Sequence, residues 1–211
     1  MLVVAPYAVS VPLAFAVSER LEPATSAGLI ALLLAPGALL APSVVNAAGG
    51  RRADMAGALL LGTVIVSFVL VATRPGAASV ALTAAQAFAV ASLIAGALPT
   101  VRDRILVPLR WAGHAAGLAV LLLAAASGPR VDAATVAVAL AAVTVLLAVA
   151  GTAALVLRRD MFSALAATGT RDPIVATALA WSIGGADATG VPLASAVILG
   201  IAATALVYRR R

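Results

Sequence analysis

Thr168-Gly169-Thr170-Arg171-Asp172-Pro173 interrupts an apolar segment that otherwise runs from Met161 to Gly184. Five spans earlier, Ala35-Pro36-Gly37 and then Ala41-Pro42-Ser43 interrupt another, from Ser26 to Ala48. A proline inside a helix removes a backbone hydrogen bond and clashes with the preceding turn. In lipid, the freed N–H and C=O groups need partners within the protein or in a wet cavity. Two interrupted apolar segments at matching places in the halves of a chain are the sequence mark of a transporter binding site. An odd offset gives the two segments opposite orientations, as an inverted repeat of five helices requires.

Composition places these breaks in a membrane protein. Of 211 residues, 64% are hydrophobic and 10% are charged, against roughly a quarter charged in soluble domains. Mean hydropathy is +1.14. The net charge of +6 therefore indicates membrane topology, not a nucleic-acid partner. The chain has no Cys and one His, so thiolate metal sites, disulfides and thiol nucleophiles are excluded, and no metal-ligand cluster is visible.

A span needs about 20 largely apolar residues. Eight segments meet or approach that length: Leu2–Val17, Ser26–Ala48, Met55–Thr73, Ala77–Leu98, Leu109–Ser127, Ala134–Leu157, Met161–Gly184 and Val191–Tyr208. With the loops alternating, one side receives Arg51, Arg52, Arg102, Arg104, Arg110, Arg158, Arg159, Arg209, Arg210 and Arg211. The other receives Arg20, Arg74 and Arg130. The arginine-rich side is cytoplasmic by the positive-inside rule. Both termini then lie in the cytoplasm, in agreement with an even number of spans. Leu2–Val17 is short and contains Pro6 and Pro12, but no basic residue precedes it, as a signal peptide requires. The expectation is a multi-pass protein of the cell inner (plasma) membrane, all-α, forming a single transmembrane domain over 1–211.

The breaks supply the candidate site. Asp172-Pro173 reads as N-cap and first residue of a second half-helix, whose positive end faces the interruption. Arg171 has no such local role, and its guanidinium suits a carboxylate or phosphate. An ionisable residue at mid-span costs about 2.5–3.5 kcal/mol on the insertion scale and reads as functional by default. Thr170 is adjacent. Ser43 and Asn46 are polar candidates near the first break, and Gln86 lies mid-span in Ala77–Leu98, where it lines the site or bonds a neighbouring helix. His114, Trp111 and Tyr208 read as interfacial residues.

The order of these segments resembles the bile acid:sodium symporter family. Met1–Val17 with Pro6 is similar to that family's third helix. Ala35-Pro36-Gly37, followed by Gly50 and Asp54, resembles its fourth helix and the start of its fifth. Thr168 to Ala180 resembles its ninth, and Val191-Pro192-Leu193 the start of its tenth. The resemblance implies two inverted repeats of five helices with two discontinuous helices crossing at mid-membrane. Here 1–98 would hold the end of the first repeat plus the sixth helix, and 99–211 the remainder of the second. Two leading helices of the family have no counterpart in the chain; the accounts this leaves open are a shortened gene product, a misplaced start, or assembly with a second copy or a partner subunit that replaces them.

The departures bear on coupling. The family's sodium-binding Ser-Asn pair falls on Ala41 and Pro42. Its acidic residue in the ninth helix falls on Ala167, and its Gln on Arg171. A hard cation needs several oxygen ligands, so sodium is not expected at these positions. The expected function is secondary transport of a small organic anion, with Asp172 the one deep carboxylate available for a proton. The alternative is a non-transporting scaffold or subunit of transporter ancestry. Neither paired carboxylates nor a nucleophile–base constellation points to an enzyme, and no cofactor is implied. Membrane lipid is the expected surrounding partner.

Overall fold

The computed structural model describes residues 4–35, 69–70, 72–73, 76, 79, 82–83, 86, 99–156, 165 and 170–209. Among them every extended element is helical: α1 (Val4–Ser18), α2 (Pro23–Leu34), α3 (Pro99–Ala126), α4 (Ala133–Val156), α5 (Pro173–Gly184) and α6 (Gly190–Arg209), with a short 3-10 turn over Ala186–Thr189. Met55–Thr73 and Ala77–Leu98 lie largely outside the described residues, as do Pro36, Gly37, Ala41 and Pro42 of the first break and Ala167 before the second.

Prolines set several boundaries. Pro23 opens α2, where its missing N–H would have lacked a partner anyway. Pro36 ends it. A residue before proline is pushed out of the helical region, and Ala35 is extended at φ −54° and ψ 146°. Pro108 behaves differently. Sequence reading starts a span after it, at Leu109, but α3 begins at Pro99 and continues through Pro108. The polar turns around Arg102, Asp103 and Arg104 extend the helix beyond its apolar part, and the lost hydrogen bond does not end it.

α4 has 24 residues and is the one helix among the described residues that is both long and apolar enough to cross a membrane. At 1.5 Å per residue it spans roughly 36 Å. Asp132 caps it. The Thr135 N–H and hydroxyl both donate to Asp132 Oδ1 at 2.8 Å. Those bonds from Thr135, with Arg130 nearby, hold the carboxyl below its usual range. One face of α4 is buried through Thr135, Ala139, Ala142, Val143, Leu146, Ala150 and Ala154, while Leu140, Leu155 and Val156 are exposed. Trp111, Leu118, Leu122 and Leu123 of α3 and Val197 and Ile201 of α6 are exposed as well. An apolar exterior is compatible with a surrounding of lipid, since soluble monomers rarely expose large contiguous apolar patches.

The centre of the bundle is α2. Every residue from Ala27 to Ala35 is buried, the pattern of a helix enclosed on all sides. It packs against α1, α4, α5, α6 and the 3-10 turn. α2 and α5 run antiparallel. At one end, a Cβ on Gly184 would lie 2.7 Å from that of Ala27, and a Cβ on Gly28 would meet the Ala188 carbonyl oxygen. Gly185, at φ 75°, turns the chain there, a conformation that glycine adopts without steric cost. Glu22, Thr25, Arg130, Asp132 and Asp187 line a polar cleft of about 220 Å³ at this end. At the other end, Ala35 and Arg171 meet across one side chain of α1.

Candidate functional site: a buried guanidinium between two helix ends

The local fold at the second break follows from Asp172 and Pro173. Pro173 fixes the first helical residue, and Asp172 is the N-cap, extended at φ −72° and ψ 111°. Its Oδ1 accepts from the Ile174 N–H at 2.8 Å and the Val175 N–H at 3.0 Å. The cap reading of this carboxylate holds. Asp172→Ala is expected to fray the first turn of α5 and cost about 1–2 kcal/mol. Asp172→Asn, which retains the oxygen, should lose much less. Thermal midpoints of the purified variants check this.

Capping places Arg171 immediately before the helix, and its side chain reaches into the protein. Arg171 is 1% exposed and is the largest fully buried side chain among the described residues. The guanidinium carbon lies 4.0 Å from the centroid of the Tyr7 ring. Nη2 donates to Ser10 Oγ at 3.1 Å. The Tyr7 hydroxyl donates to the Ala35 carbonyl at 3.2 Å. Tyr7 therefore touches the guanidinium beside one break and the last residue before the other, 28 positions along the chain from itself.

Nε and Nη1 of Arg171 are buried and have no hydrogen-bond partner. These two nitrogens carry most of the N–H donors of the side chain. The ion pairs among the described residues belong to Arg130, with Glu22 at 4.0 Å and Asp132 at 3.6 Å, and none involves Arg171. A cation over an aromatic face is attracted to it, by about 2 kcal/mol when desolvated. That does not offset an unpaired buried charge, whose desolvation costs several kcal/mol. Chemically, the arrangement is a buried cation with unused donors, the kind of group that hydrogen-bonds strongly to oxyanions.

The other sequence candidates divide. Thr170 is half-buried, and its N–H donates to the Leu165 carbonyl at 3.0 Å. Gln86 is helical and exposed, and it is not among the contacts of Arg171. Ser43 and Asn46 lie outside the described residues. His114 stands edge-on to Trp111, with ring centroids 6.3 Å apart. Among the described residues, no group of three or more His, Cys, Asp or Glu side chains is placed to hold a metal.

Sequence reasoning missed Tyr7 and Ser10. Their signal was faint: two hydroxyl side chains three residues apart, hence on one helical face, in a segment otherwise without polar groups up to Ser18. No protein-family model matches the chain, and no curated protein matches its sequence.

Proposed function

We propose that this chain is a secondary membrane transporter of a small organic anion, with Arg171 as the anion contact. The observation that carries the proposal is the buried guanidinium with Nε and Nη1 unpartnered. A charge is kept in such a place at high cost, and an incoming carboxylate or similar oxyanion would supply both the missing hydrogen bonds and the missing counter-charge. The antiparallel half-helices support the reading. Twelve residues of α2 or α5 rise roughly 18 Å, so ends that start near an interface finish inside a hydrocarbon core about 30 Å thick.

In the full proposal, the eight spans belong to a five-plus-five inverted-repeat fold with two discontinuous helices. Both termini are cytoplasmic, and the polar cleft carrying Arg130 faces the opposite compartment. The protein sits in the cell membrane among lipid, beside a second copy or a partner subunit. Coupling does not use sodium at the positions of Ala41, Pro42, Ala167 and Arg171. Purified protein in liposomes is expected to exchange labelled benzoate equally well in potassium and in sodium. Uptake that needs sodium and ignores a proton gradient would overturn the coupling. Absence of any anion exchange would favour a scaffold.

A further inference from the structure

We infer that α1 forms a third wall of the anion site and that Tyr7 and Ser10 are positioning residues for Arg171; this rests on the anion reading above. A free arginine side chain spreads over many rotamers, and a ligand that binds it must freeze them at a cost in affinity. Here the freezing is complete in the protein itself. The Tyr7 ring covers one face of the guanidinium at 4.0 Å, and Ser10 Oγ takes Nη2 at 3.1 Å. Both residues are buried, at 4% and 1% exposure, and both come from a helix outside the two interrupted segments.

The division of labour is specific. Two contacts of α1 occupy the face and one terminal nitrogen, leaving Nε and Nη1 for an incoming oxyanion. The Tyr7 ring covers a face of Arg171, and its hydroxyl donates to the Ala35 carbonyl while also lying within pairing reach of the guanidinium. Ring and hydroxyl can be removed separately: Tyr7→Phe should keep most of the anion affinity, and Tyr7→Leu should not. The same separation explains why an aromatic residue stands there. An aliphatic side chain would cover the guanidinium without attracting it, and an acidic one would neutralise it and exclude the anion.

The test uses the full chain in lipid nanodiscs with nitrogen-15-labelled arginine. The Arg171 Nε–H resonance is assigned by its loss in Arg171→Lys, and potassium benzoate is the probe. In the wild type, benzoate should move this resonance in a saturable way. Tyr7→Leu should weaken the apparent affinity roughly tenfold, with Tyr7→Phe within about threefold of wild type. Ser10→Ala should weaken it about fivefold. If Tyr7→Leu and Ser10→Ala both titrate like the wild type, the positioning role is overturned while the anion site stands. Should Tyr7→Leu not fold, Ser10→Ala decides alone by the same criterion. A wild-type resonance that ignores benzoate, acetate and sulfate overturns the anion site itself, and the role of α1 with it.

Discussion

Arg171→Met is expected to stabilise the protein and abolish anion binding at once. The two side chains are similar in length, and Met adapts to irregular gaps. The substitution removes a buried charge that has no ion-pair partner among the described residues and two donors that have no acceptor. Replacing buried ionic groups by apolar ones of similar volume is often stabilising by about 1–4 kcal/mol. The loss of the Ser10 and Tyr7 contacts offsets part of the gain. A net stabilisation of about 1–3 kcal/mol is the expected result, read as a raised thermal midpoint without ligand. Benzoate exchange should fall to the level of empty liposomes. A lowered midpoint would mean that Arg171 serves the fold, and intact exchange would remove it from the site. Few other substitutions separate these roles so cleanly, because most binding-site changes weaken fold and function together.

Gly28→Leu is expected to be the most damaging single change in the described core. A Cβ at Gly28 would run into the Ala188 carbonyl oxygen and lie 3.1 Å from Val191 Cβ. The first obstacle is backbone and cannot rotate away. Even Gly28→Ala has to shift the 3-10 turn away from α2, at about 1–3 kcal/mol, set against a gain of about 1 kcal/mol in helix propensity. Leu adds three further carbons to the same space and should prevent stable folding. Gly117→Ala makes an instructive control. The atom met there is Ile174 Cδ1, the end of a flexible side chain, which yields by changing rotamer. A Gly28→Ala midpoint equal to that of Gly117→Ala would show that α2 and the 3-10 turn are less closely seated than described.

What could be read in advance divides along chain distance. Pro36 announces that Ala35 cannot be helical, and Asp172-Pro173 announces a capped start, because each effect is settled within a few residues. α4 was legible from the unbroken apolar run of Ala134–Leu157. The start of α3 was not, since a proline inside a helix and a proline ending one look alike until tertiary packing decides. The partners of Arg171 were out of reach for another reason. Ser10 lies 161 residues away, and nothing in either segment names the other. That a charge stands within an apolar segment was clear, and the structure buries it, but the aromatic face that holds it was not. Gly28 offered no local hint either, because a glycine within a helix signals close approach without naming what approaches.

The enclosure of α2 also orders the making of the protein. A helix buried on every side from Ala27 to Ala35 cannot be finished early, for its seat is built from helices that the ribosome has yet to produce. α5 and α6 follow α2 far along the chain, and both pack on it. Until they are made, the Gly28 edge of α2, which faces Ala188 and Val191, stays open. Chains stopped before Gly190 should thus remain sensitive to proteases, because the helix that closes over Gly28 has not yet been made.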